Sequence, residues 1–234
     1  MSSLFLSLQG SYKQLQIALF KDKILIDSVL EESSRASAML IPHLKAILKK
    51  NGQSLASLNF VAVDQGPGAF TSLRVMIATV NALSFATKIP VIGIDGLDAL
   101  AHQTKSMTQS GAEKSYYCAL LNAFNQELFF GIYDQNLNLV MPKGYKNVDL
   151  LLADIAALDA PVKLVFSGNG TKLFESKIGE RFAARAHIES LEVASAEVIG
   201  LMALEQWNTK EIDFKNSHKL APLYMKLQSY AVKT

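Results

Sequence analysis

The sequence predicts an α/β fold in which one unit occurs twice, each copy a mixed sheet flanked by helices. Three observations predict it. Of the 234 residues 50% are hydrophobic and 19% charged, enough for a folded chain to bury roughly 70–75% of the surface its unfolded form exposes. Short apolar runs alternate with segments of helical spacing, the order expected of strand–crossover–strand units. Each half shows a three-strand meander, a helix, and a strand leading through a glycine turn into another helix.

Apolar runs at 4–8, 15–20 and 24–30 are separated by Gln9-Gly10-Ser11 and Lys21-Asp22-Lys23. The second gap is short enough for a hairpin, so the three runs read as an antiparallel meander. A helical pattern follows, with Met39, Leu40, His43, Leu44, Ile47 and Leu48 on one side and an end at Asn51-Gly52. Pro42 lies inside it and should kink it or mark its first turn. A strand at 60–63, a helix to residue 87, a strand at 91–94 and a helix from Leu97 then alternate, which implies right-handed crossovers and parallel pairing.

In the second half, 116–121, 128–133 and 137–141 read as strands, with a turn at Asp134-Gln135-Asn136. A helix near 149–158, a strand at 163–166, the turn Ser167-Gly168-Asn169-Gly170 and a helix through Leu173 and Phe174 complete the second copy. A last helix at 196–207 would pack back across the lobes. The polar stretch 104–114 sets the boundary, giving lobes 1–105 and 106–234.

Composition narrows the function. A net charge of +2 is too small for a dedicated nucleic-acid binder. The end of the chain leans basic through Lys210, Lys215, Lys219, Lys226 and Lys233, and reads as a solvated tail or as an RNA or partner contact. The single cysteine, Cys118, excludes an internal disulfide and sits in a run where cysteine acts as a small hydrophobe. Met1-Ser2-Ser3-Leu4-Phe5 lacks the charged start of a signal peptide, and no apolar run reads as a membrane span of roughly 18 residues. The expectation is a cytoplasmic protein without membrane contact.

Catalytic equipment is sparse. Gly66-Pro67-Gly68-Ala69-Phe70-Thr71 joins a strand to a helix N-terminus, where free backbone N–H groups suit an anion or a partner. It lacks the lysine of a P-loop, and Thr71 stands where the dinucleotide fingerprint has its third glycine. The alternative is a tight turn in which Pro67 fixes φ and the glycines relieve sterics. His43, His102, His187 and His218 form no pair at helical spacing, and His43 reads as a satisfied core or interface side chain. Asp95 reads as a helix cap rather than half of a carboxylate pair with Asp98. No catalytic residue, metal site or cofactor is indicated.

The helix behind the turn is more telling. From Phe70 to Thr87 its one charge is Arg74. Phe70, Leu73, Ile77, Val80 and Leu83 make one stripe at helical spacing, and Val75, Ala78, Thr79, Ala82 and Ala86 a second. Either helix 39–48 covers the second stripe, or the outer sides of the two helices form an interface between proteins.

Gly66-Pro67-Gly68-Ala69-Phe70-Thr71-Ser72-Leu73-Arg74, followed by Ile89-Pro90-Val91-Ile92-Gly93-Ile94, resembles the signature of the bacterial TsaB (YeaZ) family. Its usual form is Gly-Pro-Gly-Ser-Phe-Thr-Gly-Leu-Arg with a later Pro-Val-x-Gly-Val-Ser. The resemblance implies an actin/Hsp70-like ATPase fold of two ribonuclease-H-like lobes. It implies a non-catalytic subunit that binds a TsaD-like catalytic subunit, works with a TsaE-like ATPase, meets tRNA through the complex, and self-associates through the same helices. The interface would then comprise Met39, His43, Ile47, Arg74, Val75, Ala78, Thr79 and Ala82. Where the family usually has carboxylates at strand ends, this chain has Gln9 and Asn122, with Phe124 in place of an arginine and Ala36 in place of a histidine. Loss of those carboxylates argues against Mg²⁺-dependent nucleotide hydrolysis. The rival readings are an enzyme of the same fold, either a peptidase or a small-molecule kinase, and a homodimer without a tRNA role.

Overall fold

Two five-stranded sheets organise the computed structural model, which describes residues 2–12, 14–32, 36–108, 114–158, 162–209 and 219–226. The first contains β1 (Leu4–Gln9), β2 (Leu15–Lys21), β3 (Ile24–Glu31), β4 (Phe60–Gly66) and β5 (Val91–Asp95) in the order β3-β2-β1-β4-β5. The second contains β6 (Ser115–Asn122), β7 (Glu127–Tyr133), β8 (Leu139–Asn147), β9 (Lys163–Ser167) and β10 (Ala186–Ile188) in the order β10-β9-β6-β7-β8. Read from the opposite edge, the second order repeats the first. In each sheet the meander strands pair antiparallel and the strands reached by crossover pair parallel. The duplication is therefore a repeat of topology, with mixed sheets as the spacing implies.

The helices are α1 (Ala36–Lys50), α2 (Phe70–Thr87), α3 (Gly96–Met107), α4 (Val148–Ala157), α5 (Asn169–Leu173), α6 (Glu175–Phe182) and α7 (Ala196–Thr209). Period-2 alternation sorts the first sheet onto two faces. Leu6, Leu8, Val61 and Val63 pack under Leu40, Leu44 and Ile47 of α1 and Leu73, Ile77 and Val80 of α2. Phe5, Phe20 and Phe60 face the other way, into a central layer with α3, α7 and the inner face of the second sheet. Both faces are buried, which is why β1 and β4 read as continuous apolar runs. Phe20, Phe5, Phe60 and Trp207 stack in series with centroids 5.1, 4.4 and 4.9 Å apart, pinning α7 to the first sheet. Helices α4 and α6 close the outer face of the second sheet over Cys118, Leu120 and Phe166.

Several boundaries differ from the expectation. β8 runs on to Asn147 through Pro142, because β8 is an edge strand and a missing N–H there costs no ladder bond. Helix α1 begins at Ala36, so Pro42 lies in its interior rather than its first turn. Helix α6 and strand β10 are short elements whose few buried side chains leave little pattern to read. By length and mean hydropathy, 18 residues at 1.2, α2 is apolar enough to cross a membrane, contrary to the sequence reading. Its Leu73, Met76, Ile77 and Val80 are nonetheless buried on the sheet, as in a core helix. Residues 109–113 of the boundary stretch, His218, and the basic positions Lys210, Lys215 and Lys233 lie outside the described residues.

Candidate functional site

The glycine turn after β4 is held from within. Gly66 adopts φ 99°, and its N–H donates to Asp64 Oδ1 at 2.8 Å. The Ala69 N–H donates to the Ser11 carbonyl at 2.7 Å. A Cβ on Gly68 would stand 2.6 Å from that same oxygen, so glycine permits the turn to press against the β1–β2 loop. Two N–H groups that an anion cradle would use are thus already engaged, which favours the tight-turn reading.

Asp64, beneath the turn, is 3% exposed. Burial pushes its carboxyl up to about 6 from 3.8, against opposing hydrogen bonds from Ser11 and the Gly66 N–H, and with the Asp95 charge adding to the rise. Between these two values the folded chain holds the proton and the unfolded chain does not. Stability should therefore fall as pH rises from about 4 to 6 and level off above, a span of about 3 kcal/mol. Asp64→Asn keeps an acceptor for the Gly66 N–H and removes the buried titrating carboxyl. Denaturant midpoints of the two proteins should converge near pH 4 and separate at pH 7, with Asp64→Asn the more stable. Parallel pH profiles would contradict this.

The lobes meet directly across the cleft. The Tyr12 hydroxyl donates to the Asn122 carbonyl at 2.9 Å, and the Asn122 N–H donates to Asn169 Oδ1 at 2.8 Å. Asp95 caps α3, accepting from the Leu97 N–H at 2.8 Å, as the sequence suggests. It also meets Lys143 of β8, whose Nζ lies 2.5 Å from Asp95 Oδ2 and 2.9 Å from both Asp98 oxygens. The Tyr133 hydroxyl donates to Asp98 Oδ1 at 2.6 Å. Burial, and then the neighbouring Asp98 charge, raises the Asp95 carboxyl. Burial alone would depress Lys143, but hydrogen bonds and charges from both aspartates outweigh it and hold the ammonium charged. The Asp95–Asp98 pair is therefore a cap and an interlobe ion pair. Among the described residues, no three His, Cys, Asp or Glu side chains gather as a metal site would need.

The outer face of α1 and α2 holds the residues the resemblance singles out, with one exception. Ile47 is 1% exposed and faces the first sheet from α1, so it contributes to the core and not to a surface. Met39 and His43 are half-buried on the flank of α1, and His43 Nε2 lies 3.2 Å from Glu31 Oε2. Arg74, Val75, Ala78 and Ala82 are exposed. Thr79 is half-buried and spends its hydroxyl on the Val75 carbonyl at 2.7 Å. Helix α1 lies beside α2 rather than over it. The stripe Thr71, Val75, Ala78, Ala82 and Phe85 faces outward at alternating four- and three-residue spacing, the seam of a helix–helix contact. Phe85 is 73% exposed, an aromatic the sequence reading left out.

A segment read as a solvated tail is instead docked. Residues 219–226 cross from α2 to the second lobe. The Asn81 side chain bonds both the carbonyl and the N–H of Leu220, at 2.8 and 3.0 Å. Gln65 Nε2 donates to the Ala221 carbonyl at 2.7 Å, and the Leu223 N–H donates to the Gln65 carbonyl at 2.9 Å. Lys226 pairs with Glu127 beyond the cleft. Ala221-Pro222-Leu223-Tyr224-Met225, apolar residues inside a basic stretch, was the available signal.

These features can be set beside known proteins. Residues 30–227 match the family model described as TsaD, tRNA N6-adenosine threonylcarbamoyltransferase. The chain is 28% identical over 151 residues to the tRNA threonylcarbamoyladenosine biosynthesis protein TsaB of Buchnera aphidicola subsp. Schizaphis graminum, covering 64% of this chain and 70% of that one. It is 25% identical over 193 residues to the TsaB of subsp. Baizongia pistaciae, covering 80% and 81%. The solved YeaZ from Pseudomonas aeruginosa superposes with a TM-score of 0.73 at 24% identity, covering 95% of this chain and 99% of that one, and shares the fold. The signature turn, the repeated sheet order and these matches together show that the chain belongs to the TsaD family, in its TsaB (YeaZ) branch.

Proposed function

We propose that this chain is the non-catalytic docking subunit of the machinery that adds the threonylcarbamoyl group to adenosine next to the anticodon of tRNAs reading A-starting codons. The role in that modification follows the names of its TsaB relatives. The observation that carries the docking role is the outward stripe of α2, small in the middle and aromatic at one end, uncovered by α1. Small side chains let a second helix approach closely, and the apolar area supplies the driving force. The occupant is a TsaD-like catalytic subunit. A second copy of this chain competes for the same face, a TsaE-like ATPase joins the assembled pair, and tRNA is reached through the complex in the cytoplasm.

A scaffold role is favoured over an enzymatic one by the cleft. Amides stand at Gln9 and Asn122, where nucleotide-hydrolysing relatives of such a fold place carboxylates. Tyr12, Lys143 and segment 219–226 tie the lobes together across the mouth. Depleting the protein and analysing tRNA nucleosides by mass spectrometry tests the assignment. Threonylcarbamoyladenosine should fall to a small fraction of its normal level; an unchanged level would remove the proposed role.

A further inference from the structure

We propose that segment 219–226 is an interlobe latch that presets Arg74 as a recognition group, and that Arg74 receives a carboxylate of the docked catalytic subunit. The proposal rests on the docking role above and names a contact within it.

Arg74 is held from two sides. Its guanidinium carbon lies 3.7 Å from the ring centre of Phe70, one turn earlier on α2. Its Nε donates to the Tyr224 hydroxyl at 2.9 Å, and the Tyr224 ring stands 5.8 Å from the guanidinium and 5.8 Å from the Phe70 ring. Tyr224 belongs to the latch and is anchored from both ends. On the first lobe, Asn81 and Gln65 hold the backbone at Leu220, Ala221 and Leu223. Glycine at position 93 makes room for Leu220, since a Cβ there would stand 2.7 Å from Leu220 Cδ1. On the second lobe, Met225 packs against the central core and Lys226 pairs with Glu127.

This arrangement uses the Nε donor and leaves the terminal amino groups of an exposed side chain without an acceptor among the described residues. Two parallel N–H groups at the end of a guanidinium match the oxygens of a carboxylate. The surroundings favour a protein carboxylate over a phosphate backbone. Arg74 is the one charge on α2, and the stripe beside it is apolar, whereas a nucleic-acid surface gathers several cations. An arginine already stacked and hydrogen-bonded loses less freedom on binding, so the latch contributes affinity without touching the partner.

The test is a double-mutant cycle on the full-length chain, titrated with the TsaD protein of the same cells. Arg74→Ala should weaken binding about 30-fold, as expected of an arginine anchor. Tyr224→Phe, which keeps the ring and removes the Nε acceptor, should weaken it about 5-fold. The double variant should bind no more weakly than Arg74→Ala alone. Lys226→Met, which frees the far end of the latch, should resemble Tyr224→Phe. Losses that multiply in the double variant, or a Tyr224→Phe protein that binds as the wild type does, overturn the proposal. The docking role fails separately: it falls if Ala82→Arg leaves the affinity unchanged, whatever the cycle shows.

Discussion

Replacing Ala78 by Arg and Ala82 by Glu together is expected to weaken association with the TsaD-like subunit by about a thousandfold. Both alanines sit at the centre of the exposed α2 stripe, one turn apart. A partner helix packed on that stripe would meet a long side chain where it had a methyl group. The closest approach would be lost, and two charges would enter the apolar middle of the contact, away from Arg74. The isolated chain should hardly notice. Both positions face solvent, and arginine and glutamate are good helix formers, so the fold should change by about 0.5 kcal/mol or less. Calorimetric titration reads the first effect and thermal unfolding the second. Full-strength binding by a folded double variant would move the interface elsewhere.

Gly168→Ala should be among the most damaging single substitutions in the second lobe, costing about 3–5 kcal/mol. Gly168 follows β9 much as Gly66 ends β4, and both hold positive φ angles, 105° and 99°. A Cβ at Gly168 would overlap the Leu120 carbonyl, which is backbone in the middle of the sheet and cannot swing aside. Penalties of strain and overlap therefore add. Gly179→Ala is the matched control: it lies at an exposed position of α6, and a Cβ there meets no atom within 4 Å. That exchange should stabilise the chain by about 0.5–1 kcal/mol. Urea unfolding of the two variants should separate them clearly; equal midpoints would contradict the account of the turn.

Much of the fold was legible because local pattern and tertiary packing agree. Helix α2 shows its ends in the glycine turn and at Lys88, where φ turns positive, and its two stripes are visible in spacing alone. The repeat was legible as element order, since a meander and a crossover leave different gaps. The candidate site was legible in part. Spacing placed Leu40, Ile47 and Met39 on one side of α1, but the depth of burial depends on where the sheet lies beneath, so Ile47 was read as surface. Lys143 and Asp95 are 48 residues apart, and Arg74 and Tyr224 are 150 apart. No local period reports such pairs. The segment 219–226 was hidden by composition, because its lysines suggested a solvated tail while Leu220 and Met225 supplied the packing.

The central claim is that this chain works through the α2 surface and not through chemistry in its cleft. The most direct measurement is threonylcarbamoyladenosine in tRNA from cells depleted of the protein and complemented with variants. Wild type and Asp64→Asn, which removes the buried carboxylate beneath the glycine turn, should both restore the modified nucleoside. The Ala78→Arg/Ala82→Glu variant should not, although it accumulates as a folded protein. Restoration by the α2 variant, with failure of Asp64→Asn, would contradict the account.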